Sequence, residues 1–201
     1  CRADIILIGD DDLVYKPDAF DRIKDIFELH PETDYASFRY EGPDNKPYPA
    51  GEVSLNPVPR GFYQTTFEVA LRRDSPAGEL RFCSLFGPGA PYLTAGEDEF
   101  FLLSAVKKGV RCRHFPLTIA EHPTLTSGSL PHSSDGLLRT TGAITALRHR
   151  GLWIPRLPLT AMRLSRAGKA GFFRALSAMT AGALYALRKF PCDFAGKASG
   201  C

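Results

Sequence analysis

"DIILIGDDDLVYKPDAF", residues 4–20, joins a run of apolar residues to three consecutive aspartates. Ile5 to Ile8 form a continuous apolar stretch, the pattern of a strand buried on both faces. Asp10, Asp11 and Asp12 follow at once. Adjacent carboxylates repel one another, so holding them close needs a cation or hydrogen-bond donors. A solvated acidic turn is the plainer reading, because Asp is a common turn former. Placement directly after a buried strand favours a divalent site instead. Hard Mg2+ or Mn2+ takes carboxylate oxygens and often shares them with substrate phosphates.

Working outward, Pro17 opens a helix expected to run to about Leu29, with Phe20, Ile23, Ile26 and Phe27 on its apolar face and Pro31 beyond its end. Residues 34–40, "DYASFRY", alternate like a strand. Residues 41–61 carry five prolines and three glycines and read as a loop, and "FEVALRR" (67–73) is a further strand. "GPGAPYLTAG" (87–96) is a loop leading into a helix from Glu97 to about Lys108. Lys107 and Lys108 suit that helix's negative end, and Gly109 can take a left-handed cap. "VRCRHF" (110–115) is a short strand closed by Pro116. Strands alternating with helices point to an α/β sheet with some parallel pairing, where ligands gather at the carboxyl ends of strands.

With 201 residues, 44% hydrophobic and 23% charged, the chain can build one domain with a real core. The five cysteines (Cys1, Cys83, Cys112, Cys192, Cys201) form no CxxC pair and read as free thiols of a reducing compartment. No basic stretch followed by an apolar core marks a signal peptide, so the chain is expected to be cytoplasmic. The net charge of +3 hides an asymmetry. Residues 1–135 hold 14 Lys/Arg against 21 Asp/Glu, whereas residues 136–192 hold 10 Lys/Arg and no acid. The expected division is therefore an acidic α/β part, 1–135, and a basic amphipathic helical segment, 136–201.

Two further stretches carry chemistry. In "AGEDEFF" (95–101), Glu97 and Asp98 fall at a helix start. Acids there stabilise the helix dipole by a few tenths to about 1 kcal/mol. The functional alternative is a general base held rigidly after a Gly-rich loop. In "IAEHPTLTSG" (119–128), His122 taken alone is more often structural; beside a metal site it becomes a ligand through a neutral imidazole nitrogen.

Together, "DIILIGDDDLVYKPDAFDRI" and "FGPGAPYLTAGEDEFFLLSAVKKGVRCRHFPLTIAEH" resemble the second half of a family 2 glycosyltransferase of the GT-A fold, closest to bacterial members that decorate polysaccharides. The resemblance covers roughly residues 3–127. It implies a partial GT-A, Rossmann-like mixed sheet flanked by helices, a nucleotide-sugar donor, a divalent metal (Mn2+ or Mg2+) and inversion at the anomeric carbon. Asp10 would lie near the donor's ribose or the metal, with Asp11 beside it, and Asp12 would ligate the metal. His122 would contact the metal or diphosphate. Asp98 would be the base that takes the acceptor's proton, with Glu97 next to it. Gly87, Gly89 and Gly96 would let the backbone pass close to the sugars. The acceptor would be a glycan or lipid-linked glycan, and residues 41–61 and 123–135 the specificity loops. The family's opening strand, which builds much of the nucleotide pocket, is absent from this sequence. The 201-residue chain is therefore expected to bind a nucleotide-sugar weakly or not at all.

Other readings compete. "IILIGDDDLV" also fits the strand-DxDx(T/V) pattern of a haloacid-dehalogenase-like phosphatase, with Asp10 as nucleophile and Asp12 as acid/base around Mg2+. That pattern also needs a later Ser/Thr after a strand, then a Lys, then a Gly-Asp acidic motif, and "GEDEF" follows no convincing apolar strand. An inactive remnant or scaffold is the non-enzymatic alternative.

The rear stretch "GFFRALSAMTAGALYALRKF" (171–190) sets Phe172, Leu176, Met179, Ala183, Leu187 and Phe190 on one helical face. Its uncharged run, Ala175–Leu187, is 13 residues, short of the about 20 a bilayer span requires. Ordinary packed helices are one reading. The other is a peripheral contact with the anionic inner face of the plasma membrane, at about 1 kcal/mol per basic residue, with Phe172, Phe173 and Trp153 inserting shallowly. The acidic front half and lack of a binding motif exclude a nucleic-acid partner.

Overall fold

The computed structural model describes residues 3–43, 46–123 and 134–190. Cys1, Cys192, Cys201 and most of the 123–135 specificity loop lie outside those residues. The chain divides into two compact units, Cys1–Arg81 with Phe101–Ser129, and Phe82–Phe100 with Leu130–Cys201.

The first unit is a mixed sheet with helices on its faces. Its strands are β1 (Ile5–Leu7), β2 (Val14–Tyr15), β3 (Tyr35–Glu41), β4 (Val53–Ser54), β5 (Val69–Arg72) and β6 (Cys112–Glu121). The order is β1-β5-β3-β6-β2, with β4 also on β6. The β3–β6 pair is parallel, while β5 runs antiparallel to both β1 and β3. Thus β1, β3 and β6 point the same way, and their carboxyl ends share one edge.

Successive β3 side chains serve opposite faces, as the strand period requires. Ala36 and Phe38 pack with Ala19, Ile23 and Phe27 of α1 (Ala19–Leu29) and with Phe115 and Ile119. Tyr35 packs on the other side with Leu55, Leu71 and with Phe101, Leu102 and Ala105 of α2 (Glu97–Lys107). Gly109 takes φ +73° just after α2, as expected of the cap.

Three expectations are corrected. β1 is not buried on both faces: Ile6 is 36% exposed, and among the described residues β1 pairs with β5 alone. Ile5 and Leu7 pack inward while Ile6 faces out, an alternation a short all-apolar run conceals. β6 does not stop at Pro116. The ladder with β3 jumps from His114 opposite Ser37 to Thr118 opposite Arg39, and exposed Pro116 sits in that bulge, where no ladder donor is needed. Phe20 is 59% exposed and rests on Tyr15, ring centroids 5.1 Å apart, instead of facing the core.

Among the described residues, the second unit holds the first turn of α2 and the whole of α3 (Asp135–Arg148), α4 (Trp153–Arg166) and α5 (Phe172–Lys189). Ser134 caps α3, accepting from Leu137 N–H at 3.2 Å. Met179 and Ala183 of α5 are fully buried, with Phe172, Leu176 and Leu187 packed around them. Trp153 also packs into this cluster. Glycines let α3 and α5 touch backbone to backbone: a Cβ at Gly142 would meet the Met179 carbonyl at 1.9 Å, and one at Gly182 the Arg139 carbonyl at 1.9 Å. Among the described residues, no helix is long and apolar enough to cross a membrane.

Candidate functional site

The shared carboxyl edge of β1, β3 and β6 carries the first constellation. The turn after β1 holds Asp10, Asp11 and Asp12, and β6 ends at Glu121, directly before His122. β2 and β3 grip that end from both sides, with Glu121 opposite Val14 and Glu41. His122 N–H donates to the Glu41 carbonyl at 2.8 Å. Lys16 bridges the acids at this edge, bonding Glu41 at 2.8 Å and Glu121. The bond to Glu121 first, then that to Glu41, raises its ammonium above the ordinary lysine value.

Asp10, Asp12 and His122 come together: one ligand atom from each lies within 4.8 Å of the others. His122 Nε2 is 3.3 Å from Asp12 Oδ1. Asp11 occupies the same turn and stands outside this group. The two aspartates are exposed, whereas the imidazole is buried, lying parallel to Phe67 at 5.2 Å and edge-on to Tyr40 at 6.1 Å. Two carboxylates and one imidazole are a donor set that Mn2+ or Mg2+ accepts, at ligand distances of about 2.1 Å. The three side chains therefore fit one such ion with small movements of two exposed aspartates.

Beneath the His122 ring lies a polar network that the sequence did not disclose. Glu68 is fully buried and accepts from Lys46, from the Tyr48 hydroxyl, and from Thr65 N–H (2.7 Å) and Oγ (3.0 Å). The Lys46 ammonium also sits 4.4 Å from the Tyr63 ring centroid. Tyr48 Oη in turn accepts from Tyr40 N–H at 3.1 Å. Burial, and then the Glu68 charge, push the Tyr48 hydroxyl far above its ordinary value. Because Phe67 and Tyr40 are the two rings against His122, this network fixes the walls of the imidazole. The Thr65-x-x-Glu68 capping box is legible in sequence. Lys46, 22 residues from Glu68, offers no local signal.

Glu97 and Asp98 lie in the second unit, on the first turn of α2. Gly87 (φ +106°) and Gly96 (φ +83°) require left-handed backbone. Their nearest neighbours are protein atoms: a Cβ at Gly87 would meet Glu97 Oε2 at 3.2 Å, and one at Gly96 would meet Thr140 Cγ2 at 2.6 Å. A Cβ at Gly89 (φ +86°) would meet nothing within 4 Å. Glu97 Oε2 is buried with no hydrogen-bond partner among the described residues. Glu99, next on the same turn, has its carboxyl raised by burial, with Arg148 opposing the shift. These acids cluster at a helix start whose free N–H groups favour negative charge.

The fold is α/β, a curled mixed sheet flanked by helices. Among solved structures the chain is similar to S. aureus TarS, residues 1–349, in complex with UDP-GlcNAc, at 14% identity and TM-score 0.50, covering 94% of this chain and 57% of that one. The same fragment in complex with UDP gives 13% identity and TM-score 0.48, covering 73% of this chain and 42% of that chain. This chain thus spans under two thirds of the solved TarS fragment. No protein-family model and no curated protein matches the chain.

Proposed function

We propose that this protein is a metal-assisted, inverting glycosyltransferase of the family 2 type, moving a sugar from a nucleotide-diphosphate donor to a hydroxyl of a glycan or lipid-linked glycan. The observation that carries the reading is the Asp10–Asp12–His122 group at the carboxyl edge of the sheet. Support comes from the fold shared with TarS, which was crystallised with UDP-GlcNAc.

In this reading Asp10, Asp12 and His122 hold Mn2+ or Mg2+. When bound, the ion supplies positive charge for the departing nucleoside diphosphate. Asp98 accepts the proton of the acceptor hydroxyl as that oxygen bonds to the anomeric carbon and the carbon–diphosphate bond breaks on the opposite face. Glu97 and the backbone of Gly87, Gly89 and Gly96 shape the acceptor side, and Asp11 assists at the donor.

The test is sugar transfer from UDP-sugars with Mn2+, read as nucleoside diphosphate release. Activity dependent on both donor and metal, lost in Asp12→Asn and Asp98→Asn, supports the proposal. Metal-dependent hydrolysis of p-nitrophenyl phosphate with no donor-dependent transfer rejects it in favour of a phosphatase.

A further inference from the structure

Helix α4 is apolar on two sides. Leu157 and Ala161 face inward and are buried, with Leu164 packed beside them. Pro155, Leu159, Met162 and Arg166 recur at steps of four, three and four, which puts them on one stripe of the helix. All four are exposed, with Leu159 at 55% and Met162 at 41%. Leu152 and Ile154 expose further apolar surface at the start of the helix. Arg166 ends the stripe, Arg163 lies beside Met162 and Lys169 follows the helix; all three are exposed, and none pairs with an acidic side chain among the described residues.

The surroundings select the occupant. Residues 136–192 contain ten basic residues and no acid. Asp135, just before them, is bonded to Arg174 at 2.8 Å. A second copy of this chain would set one cationic face against another, and like charges oppose that pairing. An anionic lipid surface supplies the opposite charge together with an apolar layer a few ångströms deep.

We propose that α4 docks on anionic lipid, with Pro155, Leu159 and Met162 entering the headgroup boundary and Arg163, Arg166 and Lys169 meeting lipid phosphates. The contact differs from the one expected from sequence. Trp153 and Phe172 pack within the helical core, and of that set Phe173 alone is exposed, at 82%. The proposal goes beyond the transferase reading and does not depend on it.

Co-sedimentation of the 201-residue chain with vesicles tests it, with neither metal nor nucleotide present. Vesicles of phosphatidylcholine alone are compared with equal parts phosphatidylcholine and phosphatidylglycerol, at low and high NaCl. Expected is binding to the anionic vesicles only, weakened by salt. The double variant Leu159→Glu/Met162→Glu should bind about tenfold more weakly or worse, with unchanged circular dichroism. Arg163→Gln/Arg166→Gln leaves the apolar stripe intact and should lose most of the salt-sensitive binding. It decides the matter if the first variant melts early. Equal binding to both vesicle types, no binding, or wild-type binding by Arg163→Gln/Arg166→Gln overturns the proposal. So does a dimer, seen by light scattering, that Leu159→Glu/Met162→Glu dissolves.

Discussion

His122 is gripped by its own backbone bond to Glu41 and by the rings of Phe67 and Tyr40. An imidazole already fixed loses little rotamer freedom when it ligates, so its removal should be felt directly. Manganese titration by calorimetry should show affinity falling about tenfold or more, roughly 1.4 kcal/mol, in His122→Ala and Asp12→Asn. Asp11→Asn, outside the group, should change it little. His114 behaves oppositely. It is fully buried, and burial first, then the Arg39 and Lys46 charges, lower its imidazole to about 4. A base with a depressed folded value gives stability that is complete above its ordinary value and lost as pH falls through the folded one. Acidification from pH 6.5 to about pH 4 should therefore remove up to about 3 kcal/mol of stability. His114→Leu should flatten that limb in urea titrations at stepped pH. Asp34 governs the range below. Burial would raise its carboxyl, but hydrogen bonds from Arg111 Nε (2.8 Å) and N–H (3.2 Å) and the Arg111 charge hold it below the usual value. Its contribution is present above the ordinary carboxylate value and is lost as pH falls through the lower folded one. Aspartates 10 and 12 and His122 could be named from sequence because their chemistry is explicit in residue type. His114 could not be separated from any other histidine, since only packing buries it.

Among the elements, α3 and α5 give the sharpest case. Glycine inside a helix ordinarily costs about 1 kcal/mol relative to alanine, so Gly→Ala there should stabilise. At Gly142 and Gly182 the expected sign is reversed, because each new methyl would meet a backbone carbonyl carbon at 2.5 Å and its oxygen at 1.9 Å. Gly142→Ala and Gly182→Ala should each cost about 1–3 kcal/mol or more in thermal unfolding. A neutral or stabilising result would show that the two backbones do not meet there. The helical face of α5 was legible from its steps of three and four, but its tight seam was not, because glycine shows no period of its own. The ends of β6 were misread for a related reason. A proline usually stops a strand, and whether a bulge admits it depends on the partner strand.

For the whole molecule, the two units carry their aromatic reporters unequally. Trp153, the sole tryptophan, lies in the helical unit with Tyr92 and Tyr185, while five of the seven tyrosines, Tyr15, Tyr35, Tyr40, Tyr48 and Tyr63, lie in the sheet unit. Mn2+ at about a hundredfold excess over its dissociation constant should stabilise the sheet unit by about 2.7 kcal/mol. The rise should appear in the tyrosine circular dichroism transition and vanish in Asp12→Asn. An unchanged tyrosine midpoint would remove the metal from the sheet. By itself, the sequence determined the class of fold, the helices α1, α2 and α5, and the donor types available in "DDD", "GED" and "EH". Those are local properties: periodicity, capping and ligand type are written in neighbouring residues. Tertiary structure alone decided that β1 pairs with β5 only among the described residues, that His122 reaches Asp12 while Asp11 stays outside, and that Lys46 neutralises Glu68. Each depends on strand order and register, which bring together residues far apart in the chain, and no local pattern encodes them.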